Sequence, residues 1–127
     1  ERNVLIVDAY NANPSSMTAS LENFFNMSAP AKAVMIGDMG ELGDSSAEEH
    51  EKILKLLTDS SIDKIYLVGK EFEKALAKAG KSGDERIFWF ASSDALAAYL
   101  SENQLNGYSI LIKGSHSMRM EKTVQVL

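Results

Sequence analysis

The chain has 127 residues, 45% of them hydrophobic, which suits one globular domain with a core of its own. Its formal net charge is -5 with no basic stripe, so nucleic acid and anionic membrane are poor partners, and no apolar run is long enough to insert in a bilayer. It has no cysteine, which excludes a thiolate metal site, a cysteine nucleophile and any dependence on disulfides.

Apolar runs alternate with helical patterns from the start. Val4-Leu5-Ile6-Val7 reads as a buried strand. Asn13 then offers a helix cap and Pro14 a first helical position, followed by Met17, Leu21, Phe24 and Phe25 at helical spacing. Ala33-Val34-Met35-Ile36 is a second strand, ending in Gly37-Asp38. Ser46 and Glu49 have the spacing of a capping box ahead of Ile53, Leu54 and Leu57. Lys64 to Val68 is a third strand, and Phe72, Leu76 and Ala79 mark a helix that Gly80 stops. Ile87 to Phe90 is a fourth strand, with Leu96, Tyr99 and Leu100 in the helix after it. Ser109 to Ile112 is the fifth, and Met120, Val124 and Leu127 predict a last helix. The expected fold class is α/β: a three-layer, doubly wound, mostly parallel sheet in a single domain over 1–127. The opening Glu1-Arg2-Asn3 runs straight into a strand without an initiator Met, which reads as a domain taken from a longer protein. No signal peptide is visible, so the cytoplasm is the expected location.

In such sheets ligands bind beyond the carboxyl ends of the strands. Three of those ends are rich in polar groups. After the first strand, Asp8, Asn11 and Asn13 precede a helix start; Asp8 suits ribose hydroxyls, and helix-start amides suit an anion. The same residues are also ordinary turn and cap chemistry. After the second strand come Gly37, Asp38, Gly40, Glu41 and Gly43, then His50. Asp38 and Glu41 suit an amine or a supporting role, or else form an acidic loop; His50 alone reads as a partly buried helix residue. After the fifth strand, Lys113, Gly114, Ser115, His116 and Arg119 form a cationic stretch on an acidic chain. Its cations suit a carboxylate or phosphate, and Gly114 and Ser115 offer amides, unless Lys113 and Arg119 are simply solvated. No phosphate-binding glycine loop is present: Gly80-Lys81-Ser82 copies only its tail, with Ala75 where the first glycine belongs. No metal-ligand spacing and no nucleophile arrangement stands out.

At these three strand ends the chain resembles a known family. Asp8-Ala9-Tyr10-Asn11-Ala12-Asn13-Pro14-Ser15-Ser16-Met17 looks like the D-[SA]-Y-N-A-N-P-x-S-M motif of the Mur ligases, in their D-alanyl-D-alanine-adding branch. Gly37 to Gly43 with His50 is similar to the G-D-M-x-E-L-G…H segment of that family, and Lys113 to Glu121 resembles its K-G-S-R-x-M-x-M-E ending. Together the motifs span nearly the whole chain. The resemblance implies the Rossmann-like C-terminal domain of an ATP-dependent ligase of peptidoglycan precursor synthesis. UDP-sugar and central ATPase domains would lie outside this chain, and the latter would hold Mg2+ and a carbamylated lysine. The reaction would join D-alanyl-D-alanine to UDP-N-acetylmuramoyl-tripeptide through an acyl phosphate, with this domain closing over ATP and placing the dipeptide. It implies Asp8, Tyr10, Asn11 and Asn13 on the nucleotide side, and Asp38, Glu41, Lys113, Gly114, Ser115 and His116 on the dipeptide and closure side. No catalytic residue or metal ligand is expected in this domain, the isolated domain is expected to be inactive, and the protein is expected to act as a monomer. Two positions depart from the motifs: Gly40 stands where Leu is common, and His116 where Arg is usual. A sister Mur ligase is the near alternative. A signalling receiver domain, with Asp8 and Lys113 in place but Val68-Gly69-Lys70 where its acceptor aspartate belongs, is the alternative of another class. A dinucleotide-dependent oxidoreductase lacks its glycine fingerprint here.

Overall fold

The computed structural model describes residues 2–8, 13–80 and 84–127, and of Asp8 the backbone alone. Five strands, β1 (Val4–Asp8), β2 (Lys32–Gly37), β3 (Lys64–Val68), β4 (Ile87–Phe90) and β5 (Ser109–Lys113), form one sheet of order β1-β5-β2-β3-β4. Every pairing is parallel. Four helices lie between them: α1 (Pro14–Asn26), α2 (Ser46–Thr58), α3 (Lys70–Ala79) and α4 (Ser93–Glu102).

The layering follows from the order. The crossovers from β1 to β2, β2 to β3 and β3 to β4 all run the same way across the sheet. Right-handed crossovers therefore put α1, α2 and α3 on one face. The β4–β5 crossover runs back, which puts α4 on the other. Alternation along β2 serves both layers: Val34 and Ile36 join Met17, Leu21, Ile53, Leu57 and Phe72, while Ala33 and Met35 join Leu96, Leu100 and Met120. The near-continuous apolar strands match this two-sided burial.

Several ends behave as their residues dictate. Asn13 is an extended N-cap whose Oδ1 accepts from Ser16 N at 2.9 Å, and Ser16 Oγ accepts from Asn13 N at 3.2 Å. Gly80 stops α3 in the left-handed region, at φ 67°. The expected Ser46–Glu49 capping box does not form. A 3-10 turn, Gly43–Ser45, leads into α2, so Ser45 is already helical at the cap position and its Oγ donates to Leu42 O. Ser46 is then the first residue of α2 and its hydroxyl turns to Glu71 Oε1, 2.6 Å away. The expected last helix is instead two 3-10 stretches, His116–Met118 and Met120–Val126, broken at Arg119 with φ 53°. Seven residues are too few to offset α-helix nucleation, and the 3-10 form still buries Met120 against α4's layer.

At the amino end of the sheet, cations secure helix ends. Lys32 Nζ donates to Phe24 O and Phe25 O, and the Arg86 guanidinium to Thr58 O, Ser60 O and Ile62 O. At the carboxyl end the connections diverge. Those leaving β1 and β2 go to the α1–α3 face, and the one leaving β5, which lies between them, goes to the α4 face. That divergence is the switch point at which open α/β sheets bind ligands.

Candidate functional site

The three polar strand ends meet at this switch point. In the register, Asp8 pairs with Lys113 across β1 and β5, and Ile36 pairs with Lys113 across β2 and β5. Segments more than 100 residues apart thus end side by side.

Asp38, the first residue past β2, is the junction of the site. Its N–H donates to Val68 O at 3.0 Å, and its carbonyl accepts from Ser115 N at 3.0 Å. Its carboxylate accepts from Glu71 N at 3.0 Å and Phe72 N at 3.1 Å, capping α3 from a distant segment. One residue therefore ties the ends of β2, β3 and β5 together. Of the roles read from sequence, orienting an amine or supporting the loop, this geometry favours support. Burial pushes the Asp38 carboxyl above its ordinary value of 3.8, while the two α3 amides pull the other way.

His50, fully buried on α2, holds the next residue. Its Nε2 accepts from Met39 N at 2.9 Å, and its Nδ1–H donates to Ser46 O at 2.7 Å. This pattern assigns the neutral Nδ1–H tautomer. The contact of Nε2 with Asp38 Oδ1 is 4.0 Å, and the lone pair is already engaged, so the two are neighbours and not an ion pair. Ser46, His50 and Asp38 superficially suggest a hydrolase triad. Ser46, however, donates to Glu71, and Nε2 has no capacity left to take a proton.

The loop after β5 packs directly on the loop after β2. Gly114 is buried, and a Cβ there would lie 3.1 Å from Gly37 Cα and 2.8 Å from Met120 Cγ. Only two glycines allow this approach. Lys113 is the last residue of β5 and wholly buried, so it is not the solvated helix cation that the sequence alone allowed. Ser115 is half-buried, its hydroxyl 3.2 Å from that of Ser117, and its amide is taken by Asp38 O. His116 is exposed. A side chain at Gly40 would lie against Ser115, 3.5 Å from its Cβ. Glu41 and Arg119, both exposed, are the two non-glycine residues at positive φ among the described residues (59° and 53°), one on each loop. Such conformations gather where a loop shape is imposed. On the β1 side, Asn13 is committed to capping α1, while Tyr10, Asn11 and the Asp8 side chain lie outside the described residues.

Two partners of this site carried no local signal in the sequence. Gly69, between β3 and α3, has φ 113° and lies against the Asp38 carboxylate. Glu71 accepts from Ser46 Oγ, and that bond chiefly holds its carboxyl below the ordinary glutamate value. The linked stability is therefore full above the ordinary glutamate range and lost as pH falls through the lower folded value. Glu71→Gln is expected to lower stability by about 1 kcal/mol at pH 7. The gap should close as denaturation is repeated towards pH 3; a gap independent of pH would refute the assignment.

A groove of about 370 Å³ between α2 and α3, lined by Glu51, Leu54, Lys55, Thr58, Asp59, Lys78 and Ala79, lies at the opposite end of the sheet. Its rims are already paired, Lys78 with Glu51 at 3.3 Å and Lys55 with Asp59 at 2.9 Å. The switch point remains the candidate. Among the described residues no group of three or more His, Asp or Glu is placed to hold a metal ion, and no helix is long and apolar enough to cross a membrane.

The family model "Mur ligase, glutamate ligase domain" matches residues 1–116. The chain belongs to the Mur ligase family. This Mur ligase domain is 37% identical over 124 residues to a UDP-N-acetylmuramoyl-tripeptide--D-alanyl-D-alanine ligase of Treponema pallidum, covering 96% of this chain and 27% of that relative. Among solved structures it resembles MurF from Acinetobacter baumannii, with TM-score 0.81 and 32% identity, covering 97% of this chain and 27% of that one. It also resembles the MurF ligase from Thermotoga maritima in complex with ADP, with TM-score 0.74 and 25% identity, covering 98% and 27%. The Mur ligase domain thus spans about a quarter of the length of these relatives, and its doubly wound fold is theirs.

Proposed function

We propose that this Mur ligase domain is the C-terminal part of an ATP-dependent ligase that adds D-alanyl-D-alanine to UDP-N-acetylmuramoyl-tripeptide. On this reading the tripeptide carboxylate becomes an acyl phosphate and the dipeptide amine displaces phosphate, in the cytoplasm, as a step of peptidoglycan synthesis serving cell shape and division. The UDP-sugar and ATPase domains lie elsewhere in the polypeptide, and the enzyme acts as a monomer. The observation that carries the reading is the meeting of all three family motifs at one switch point, within a domain whose relatives are ligases of this kind. A rim of polar loops suits closure over a reactive intermediate, which must be shielded from water. Asp8, Tyr10, Asn11 and Asn13 form the nucleotide side. Asp38 and Glu41, with the Lys113-Gly114-Ser115-His116 loop, form the dipeptide side. Mg2+ would be held mainly by the ATPase domain that the family resemblance implies.

The test uses the complete gene product. Phosphate release from ATP is measured with UDP-muramoyl-tripeptide, with and without D-alanyl-D-alanine. Release should depend on the dipeptide, and Asp8→Ala or Lys113→Ala should reduce it by about 100-fold. Because Lys113 is buried, the melting of each variant is measured alongside. A response to a single amino acid in place of the dipeptide would mean a sister ligase; no response to either would end the reading.

A further inference from the structure

We propose that His50 is a positioning residue for dipeptide capture, acting through the backbone of Met39. This rests on the function proposed above and adds a part that the buried imidazole plays in it. The ring is fully buried and held by two contacts besides Met39: Nδ1–H donates to Ser46 O at 2.7 Å, and Phe72 packs edge-on at 4.7 Å between centroids. Its remaining polar atom, Nε2, faces the loop after β2 and accepts the Met39 amide at 2.9 Å. Met39 is the last buried residue before the chain turns outward. Beyond it come exposed Gly40, beside Ser115, and Glu41 at φ 59°; the backbone is held again at Leu42 O by Ser45 N. His50 thus fixes the root of the segment that meets the β5 loop. A lost bond at Met39 frees Gly40 to drift from Ser115, while the core beneath stays filled.

The two ring nitrogens separate this role from plain packing. In a glutamine the side-chain oxygen falls where Nε2 stands, so His50→Gln keeps the acceptor for Met39 and loses the bond to Ser46 O. In an asparagine the side-chain nitrogen falls where Nδ1 stands, so His50→Asn does the reverse. Each variant loses one buried hydrogen bond. In the complete gene product, His50→Asn is expected to raise KM for D-alanyl-D-alanine about tenfold with kcat and KM for ATP little changed, while His50→Gln stays within about threefold of wild type. Hydrogen exchange at the Met39 amide should quicken in His50→Asn and not in His50→Gln. Equal KM shifts in the two variants, or unaltered Met39 exchange in His50→Asn, overturn the proposal. Wild-type release that ignores the dipeptide instead overturns the function on which it rests, and the Met39 exchange result then still judges the loop contact.

Discussion

Gly69→Ala is expected to destabilise the domain by about 3–5 kcal/mol, a large share of the ~5–15 kcal/mol typical of a folded domain. Two costs combine. Gly69 has φ 113° and ψ 162°, a region that residues with a Cβ scarcely enter, at about 1–3 kcal/mol. The new methyl would also point into the Asp38 carboxylate, and moving that group strands the Glu71 and Phe72 amides, at about 1–3 kcal/mol more. Gly80→Ala is the control. Its φ of 67° and ψ of 28° lie in the ordinary left-handed region with nothing within 4 Å of the added Cβ, and about 1 kcal/mol is expected. Urea denaturation of both variants tests the difference; equal losses would mean that backbone strain alone is felt and the carboxylate yields freely.

The alternation of strands and helices was legible in the sequence because each element advertises itself locally. Val34 to Ile36 is apolar without a break since both faces of β2 are covered, and Asn13-Pro14 signals a helix start through its own chemistry. Which strand ends meet is another matter. The pairing of Asp8 with Lys113 follows from β5 inserting between β1 and β2, and no residue near either position encodes that order. The part played by Asp38 was hidden for a related reason: its partners are backbone amides 33 and 34 residues away, which look the same in any sequence. Ser46 and Glu49 show the converse. Their spacing was right for a capping box, but the 3-10 turn before them had already made Ser45 helical, and the hydroxyl found Glu71. Local patterns thus specify elements, and tertiary approach specifies what the polar groups at their ends do.

Asp38→Ala is expected to cost about 2–3 kcal/mol, because two amides at the start of α3 lose their acceptor. Asp38→Asn keeps the shape and one oxygen, and about half that loss is expected. The pH dependence distinguishes this carboxylate from its neighbour Glu71. The folded Asp38 carboxyl is raised above 3.8, chiefly by burial, so it holds its proton more tightly than the unfolded chain does. Stability tied to it is therefore complete below the ordinary aspartate range and is lost as pH rises through the folded value. Wild type should gain on Asp38→Asn as pH falls towards 3, whereas it should lose its advantage over Glu71→Gln across the same range. Opposite slopes from two carboxylates at the start of one helix would locate the difference in their surroundings: Asp38 is enclosed between strand ends, and Glu71 is held at the surface by a hydroxyl. Parallel slopes would mean that the amide bonds of Asp38 outweigh its burial, and that the junction is held by charge and not in spite of it.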